Sequence, residues 1–324
     1  MRKRAGIGLL LGAMLAAACS GSFSAQDYPT RPVRLVAASA PGGTSDILAR
    51  LLAQALTQEL GQSFVVENRS GASGIIGTEF VAKSRPDGYT LLLIQPSLTI
   101  NPSMFATLPY DATRDFAPVT IVVDVPQVLS AHPLLPVRSL KELVALAKAK
   151  PGALTIGSPG VGTHPHLTSE LLQQQAGIRL QQVVYKGIGP AFIALRSGEV
   201  TLALSALSSA LPHVQAGKIR PLAVTTSRRV SVLPEVPTVA ESALPGFESS
   251  QWFGVLAPAG TPLPIIERLH QAITRVCRSA EVKEKLAAMG MEPVNSTPQR
   301  FAEVIKEEIG RWAQVIKAAG IAPR

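Results

Sequence analysis

Two stretches of the chain combine residue types and spacing suited to gripping an anion. The first is Ala40-Pro41-Gly42-Gly43-Thr44-Ser45-Asp46. The second is Gly157-Ser158-Pro159-Gly160-Val161-Gly162-Thr163-His164-Pro165-His166. Each follows a short apolar run that reads as a strand, is rich in Gly, Pro, Ser and Thr, and opens into a helical pattern. A strand–loop–helix turn of this kind aims unpaired backbone N–H groups and the positive end of a helix dipole at one point. Two such turns in one chain imply an anionic ligand held from two sides.

Each of these residues also has a plain structural role. Gly42 and Gly43 can serve the turn itself, although the helix that starts at once makes close backbone approach to an anion equally apt. Thr44 and Ser45 can cap that helix, touch the ligand, or do part of each. Asp46 falls in the first helical turn, where a carboxylate complements the dipole and would repel an anionic ligand. His164 and His166 form an H-x-H pair, but no nearby Cys or acidic cluster completes a ligand set, so no metal is expected. Ser158 lies near both histidines. There is no G-x-S-x-G elbow, however, and no acid in the loop to orient an imidazole, which argues against a hydrolase. Neither loop has the Lys of a P-loop or a G-x-G-x-x-G fingerprint. Lys186 reads as a solvated charge and Trp252 as core. The expectation is a binding protein without catalytic residues or cofactor.

The elements that must position these loops can be read from periodicity. Val33–Ser39 reads as a buried strand, followed by a helical period from Ser45 that Gly61 stops. Phe64–Glu67 and Thr90–Ile94 read as strands, with a helix over Ile75–Lys83 between them and a turn at Arg85-Pro86-Asp87-Gly88. Leu140–Lys150 is a helix opened by a capping box, Ser139 with Glu142, and closed by Pro151-Gly152. Leu154–Gly157 feeds the second loop, and Leu167–Ala176 is its helix. Val183–Tyr185, Thr201–Leu204, Leu222–Thr225 and Phe253–Ala257 read as further strands. A helix lies around Ala191–Arg196, and Leu233–Gly246 is irregular. Helices near Ile265–Arg278, Ala280–Met289 and Pro298–Ala319 finish the chain. The alternation predicts an α/β protein with doubly wound parallel sheets, helices on both faces, and a ligand cleft at the carboxyl ends of the strands.

Composition and the chain ends narrow the class. Arg2, Lys3 and Arg4 precede an apolar run, Ala5 to Ala18, that is too short to span a bilayer and reads as a secretory leader. Cleavage is expected within Ser22–Gln26, with lipid attachment at Cys19 as the alternative. No later run is long and apolar enough for a transmembrane helix. About 300 residues remain of the 324, enough for two domains. Cys19 and Cys277 are the two cysteines, so loss or lipidation of the first leaves no internal disulfide. Three charges of the formal +9 sit in the leader. The rest are dispersed without interleaved aromatics, which argues against nucleic acid and is compatible with a small anion.

At this point the residues resemble a family, the periplasmic solute receptors of tripartite tricarboxylate transporters, or Bug-type receptors. The resemblance runs from about Tyr28 to the C-terminus. It is carried by Tyr28-Pro29-Thr30-Arg31-Pro32, Pro41-Gly42-Gly43 with Asp46, Val66-Glu67-Asn68-Arg69, Gly71-Ala72-Ser73-Gly74 and Pro86-Asp87-Gly88-Tyr89-Thr90-Leu91. It continues through Leu108-Pro109-Tyr110-Asp111, Asp115-Phe116-Ala117-Pro118-Val119, His166-Leu167, Tyr185-Lys186-Gly187, Leu222-Ala223-Val224-Thr225, Val236-Pro237-Thr238 with Glu241, and Ala257-Pro258-Ala259-Gly260-Thr261-Pro262.

The resemblance implies a two-domain Venus-flytrap fold of the type II periplasmic-binding-protein class. The leader would span residues 1–25. One domain would comprise 26–126 and 249–324 and the other 127–248, with crossings near Val125–Ala131 and Phe247–Phe253. The implied ligand contacts are Ala40, Gly42, Gly43, Thr44, Ser45, Gln95, Ser158, Gly162, Thr163, His164 and Ser205. His166 matches a family position and would hold the loop, leaving His164 to face the ligand. The implied partners are a small mono- or dicarboxylic acid, and either membrane permease subunits or a sensor kinase. The chain would act as a monomer. Two departures stand out. Many relatives carry an Asp in the segment equivalent to Ala203–Leu207, and its absence here argues against amino-acid ligands. Relatives usually have Phe or Pro before the glycine pair, where this chain has Ala38-Ser39-Ala40.

Overall fold

A strand in which every residue is apolar, such as Leu91–Ile94, can bury both faces only if helices cover both sides of its sheet. The computed structural model, which describes residues 28–324, shows this arrangement twice. The leader, its cleavage site and Cys19 lie outside the described residues. In chain order the first elements are β1 (Val33–Ala37), α1 (Thr44–Leu60), β2 (Phe64–Asn68), α2 (Ile75–Ala82), β3 (Thr90–Ile94), α3 (Ser97–Met104), β4 (Phe116–Val125), β5 (Gln127–Ala131) and α4 (Leu140–Ala149). Next come β6 (Thr155–Ser158), α5 (His164–Ala176), β7 (Gln181–Val184), α6 (Ile188–Ser197), β8 (Leu202–Ala206), α7 (Leu207–Gln215) and β9 (Arg220–Val224). The chain ends with α8 (Val239–Ser242), β10 (Gln251–Pro258), α9 (Leu263–Arg278), α10 (Ala280–Ala288), β11 (Glu292–Pro293) and α11 (Pro298–Ala318).

The six-stranded sheet has the order β11-β4-β10-β3-β1-β2, and the five-stranded sheet the order β7-β6-β8-β5-β9. The two-residue side-chain period sorts neighbours to opposite faces. Leu35, Leu91 and Leu93 pack with Leu48, Leu52 and Leu269, whereas Val36, Leu92 and Ile94 pack with Trp252, Phe301 and Ile305. In the second sheet Leu129 and Leu204 face Leu140 and Leu167, and Val128 and Ala203 face Phe192 and Leu195.

The expectation of purely parallel sheets is corrected. Strands β1, β2 and β3 pair in parallel, as do β6, β7 and β8, but β10 runs antiparallel to β3 and β4, and β5 antiparallel to β8 and β9. The reason is the route of the chain. Only Pro126 separates β4 from β5, so β5 enters the second sheet directly from the first, on the side where the parallel strands end. A strand arriving from that side must run against them. The return through Ser249 and Ser250 into β10 obeys the same geometry.

Several elements escaped the periodicity. Helices α3 and α7 contain Pro102 and Pro212, which blunt a helical signature, yet both form. The long strand β4 was legible only as family motif. The segment read as irregular contains α8, opened by a full capping box in which Thr238 and Glu241 satisfy each other's backbone N–H groups. The capping box expected at Ser139 is half formed. Ser139 Oγ accepts from Glu142 N–H, but the Glu142 carboxylate accepts from Arg138 N–H instead of reaching Ser139. Helix α11 joins the two halves. Its Phe301 and Ile305 pack on the first sheet, while Trp312, Val315 and Ile316 belong to the core of the second.

Gly254 in β10 is needed where β10 passes under α11. A Cβ there would press into the buried Phe301 ring more closely than side chains approach. Gly254→Ala is expected to destabilise the fold by about 1–3 kcal/mol, the usual effect of overpacking, read as a lower unfolding midpoint in denaturant with an unchanged slope.

Candidate functional site

The parallel strands of both sheets end toward one cleft, and the loops that follow them line a cavity of about 460 Å³. One wall is Ala38–Ala40 after β1, Ser70, Gly71, Ser73 and Gly74 before α2, and Gln95–Ser97 after β3. The facing wall is Pro159 and Val161–Pro165 after β6, Ser205 and Ala206 at the end of β8, and Ser209 on α7. Ile100, Met104, Phe105 and Ile188 add apolar surface, and Gln251 forms part of the floor. Gln251 donates its side-chain amide to Gln95 Oε1 at 2.7 Å, joining β10 to the end of β3. Arg324 is the charged residue among those described on the lining. An anion here would meet backbone dipoles, amides and hydroxyls, with hydrocarbon beside them.

Six of the residues expected from the sequence line the cavity: Ala40, Gln95, Gly162, Thr163, His164 and Ser205. Gly42, Gly43, Thr44, Ser45 and Ser158 do not. Gly42 and Gly43 are exposed on the outer side of their loop. The Gly42 N–H donates to Asp46 Oδ2 at 2.9 Å, so the loop caps itself. Arg50 and that N–H hold the Asp46 carboxyl down at about 2. Gly42 has φ +81° and needs to be glycine, whereas Gly43 has φ −82° with room for a Cβ. Ser158 is buried at the end of β6 with its hydroxyl unpartnered.

The second loop is also internally tied. Thr163 donates both its N–H, at 3.3 Å, and its hydroxyl, at 2.7 Å, to Gly160 O. Gly162 N–H points to His166 Nδ1 at 3.5 Å, so His166 holds the loop. Gly162 has φ +76°, and a Cβ on it would strike Met104. Pro165 supplies no donor, which leaves the first-turn N–H groups of His164 and His166 among those α5 cannot satisfy for itself.

His164 lines the cavity, but its imidazole is placed differently from the sequence reading. The residue is 5% exposed, and its ring packs edge-on to Trp312 at 5.2 Å. Its Nδ1 pairs with the Gln127 amide and its Nε2 lies 3.4 Å from Ser249 Oγ. The ring thus faces the joint between the sheets.

Sequence reasoning passed over Ser39, Ser70, Gly71, Ser73, Gly74, Ser97 and Asn101, which share the lining. The run Gly71-Ala72-Ser73-Gly74 was visible as a motif but gave no helix or strand signal. Its residues all have positive φ, from +46° at Ala72 to +124° at Gly71. Holding Ala72 and Ser73 there costs about 1–2 kcal/mol each, offset in part by the bond from Asn101 Nδ2 to Ser73 O at 3.2 Å. Ser39 Oγ is buried on the wall without a partner. Among the described residues no group of three or more His, Cys, Asp and Glu could hold a metal ion.

Burial, reinforced by the Arg311 charge, pushes the His164 imidazole down to about 3. The unfolded chain therefore takes up a proton near pH 6.5 that the folded chain refuses until about pH 3. Between those values the unfolded state binds more protons, so this group's contribution falls as pH falls, by at most about 1.4 kcal/mol per pH unit. Asp124, raised by burial to about 7, acts in the opposite sense. The comparison that isolates His164 is the parent against His164→Phe. Urea unfolding from pH 7 to 4 is expected to show a stability loss on acidification in the parent that is shallower in the variant.

The model of the family described as tripartite tricarboxylate transporter family receptor, TctC, matches residues 48–321. Protein BugT of Bordetella pertussis is 40% identical over 314 residues, covering 96% of each chain. The structure of R. palustris Rpa4515 with adipate is 41% identical, covers 92% of this chain and all of that one, and superposes with a TM-score of 0.78. MatC from Rhodopseudomonas palustris with bound malate is 32% identical, covers 89% of this chain and all of that one, with a TM-score of 0.73. Mixed sheets joined by two crossings, together with these relatives, fit the type II periplasmic-binding-protein fold. The chain belongs to the tripartite tricarboxylate transporter receptor family and is a solute-binding receptor, not an enzyme.

Proposed function

We propose that the protein captures a small aliphatic dicarboxylate in the periplasm, with adipate as the first candidate, and passes it to the permease of a tripartite tricarboxylate-type transporter. The observation that carries this reading is the composition of the cavity. Backbone, hydroxyl and helix-terminus donors come from Ala38–Ala40 on one wall and Gly162–His164 on the facing wall, and apolar Ile100, Met104, Phe105 and Ile188 stand beside them. Such a surface suits carboxylates on a hydrocarbon chain. No carboxylate side chain stands on the described lining to accept a ligand ammonium. Relatives holding adipate and malate support the same class.

In this reading the first loop contributes Ala38–Ala40 rather than Gly42–Ser45, and Ser39 Oγ donates to a carboxylate. Residues 26–126 with 249–324 form one domain and 127–248 the other, and they close about Pro126 and Ser249–Ser250. Residues 1–25 direct export.

Calorimetry with adipate and with its dimethyl ester tests the charge requirement, since the ester keeps the chain but loses both anions. Adipate is expected to bind and the ester not to. Equal binding would exclude a carboxylate grip. A hydrogen bond to a charged group contributes about 1.5–3 kcal/mol, so Ser39→Ala should weaken adipate about ten- to a hundredfold. Thr163 spends its hydroxyl on Gly160 O. Thr163→Ala therefore removes a neutral bond, and its effect should be about two- to tenfold.

A further inference from the structure

His164 stands at the meeting point of the ligand cavity and the joint between the two halves. Gln127, whose amide pairs with His164 Nδ1, is the first residue after the Pro126 crossing. Ser249, 3.4 Å from His164 Nε2, lies in the return crossing. Ser249 Oγ is also 2.8 Å from Thr168 Oγ1, one turn further along α5. Thr225, just past β9, stitches the two crossings together. Its N–H donates to Gln127 O at 3.0 Å, and its carbonyl accepts from Ser249 N–H at 2.9 Å. Its hydroxyl oxygen accepts from Gln127 N–H at 3.3 Å, and the hydroxyl pairs with Ser249 O. His164, Thr168, Gln127, Thr225 and Ser249 are all buried.

The result is a closed polar circuit. It runs from the residue that opens α5 to the first crossing, through Thr225 to the second crossing, and back to α5. In a low-dielectric interior such a circuit holds one arrangement, because each broken link strands a buried polar atom. The circuit has two edges. Backbone at His164 belongs to the loop that meets the ligand, and backbone at Gln127 and Ser249 sets the angle at which the halves meet. The imidazole is the link between them.

We propose that His164 is a positioning residue whose imidazole ties the second ligand loop to both crossings, so that occupying the cavity and setting the angle between the halves form one coupled step. A ring that merely filled space against Trp312 would need neither nitrogen. His164→Phe keeps the aromatic bulk and removes both. Its effect at Gln127 and Ser249, which lie off the cavity lining, separates the two roles.

The first measurement is amide hydrogen exchange on the ligand-free parent and on His164→Phe. Exchange is expected to rise about tenfold, and together, in residues 160–168, 125–128 and 247–251, because a lost link loosens the circuit as one unit. An increase confined to residues 160–168 would overturn the proposal. The second measurement adds adipate and rests on the proposed function. His164→Phe should bind about tenfold more weakly, and at saturation its scattering radius should contract less than the parent's. A variant that binds and contracts like the parent would also overturn it. If the parent binds no adipate, the ligand assignment fails and the exchange result alone decides the coupling. Ser249→Ala removes one link and leaves the ring in place. It is expected to raise exchange in the same three segments by a smaller factor, and it carries the test should His164→Phe fail to fold. Parental exchange in Ser249→Ala at residues 125–128 would then overturn the proposal.

Discussion

The chain leaves its first sheet for the second without room to turn around. One residue, Pro126, joins β4 to β5, and on the return residues 225–250 bring the chain through Ser249 and Ser250 straight into β10. Most other features of the architecture follow from that economy. The strands that cross must run against the parallel strands they join, so each sheet is mixed. The parallel strands of both halves must end toward the crossings, which places their loops around one cleft. Buried bonds from Thr225 hold the two crossings side by side, so the halves share a single joint. Helix α11 adds a third connection, with its first turns on one core and its last turns on the other.

Apart from Arg324, charge is kept off the described lining of the cleft and concentrated behind it. The cavity wall is made of dipoles, amides, hydroxyls and hydrocarbon. On the far side of β10, Glu308 is buried yet satisfied. It accepts from Thr99 and from Trp252, each at 2.9 Å, and pairs with Arg311 at 2.7 Å. Burial raises its affinity for a proton, and these partners oppose that shift. Arg311 in turn helps keep the His164 ring neutral, so a salt bridge on one side of the joint bears on the ring that lines the other. A well-held wall that is neutral apart from Arg324 suits a receptor for an anion, because dipoles and that one cation meet the ligand's charge with no competing acid.

Both glycine-rich loops are tied internally. Asp46 caps the first and His166 braces the second, while Gly160 O takes two bonds from Thr163. Pre-formed loops spend little ordering entropy on capture. The strained turn at Ala72 and Ser73 fits the same pattern. It is held open against local preference by Asn101 from α3, which presents backbone to the cavity at a place where regular structure would not.

Much of this was legible along the chain. The apolar runs and helical periods gave β1, α1, β3, α4 and the three closing helices nearly to the residue, because burial against a two-faced sheet dictates those patterns locally. The two loops announced themselves through Gly, Pro and hydroxyl residues between a strand and a helix. The motif series marks the family along the chain itself. Other features depend on contacts between residues far apart in sequence. The direction of β5 and β10 follows from where the chain crosses, which no local pattern encodes. Part of the cavity wall comes from Ser39, the turn at Gly71–Gly74 and α3, whose residues are ordinary until the fold brings them together. The histidine pair shows the division most sharply. Both are buried, and spacing alone could not say which ring turns to the joint and which braces its own loop. Gln127, Ser249 and Trp312, each distant in sequence, decide it, because a buried imidazole goes where its two nitrogens find partners.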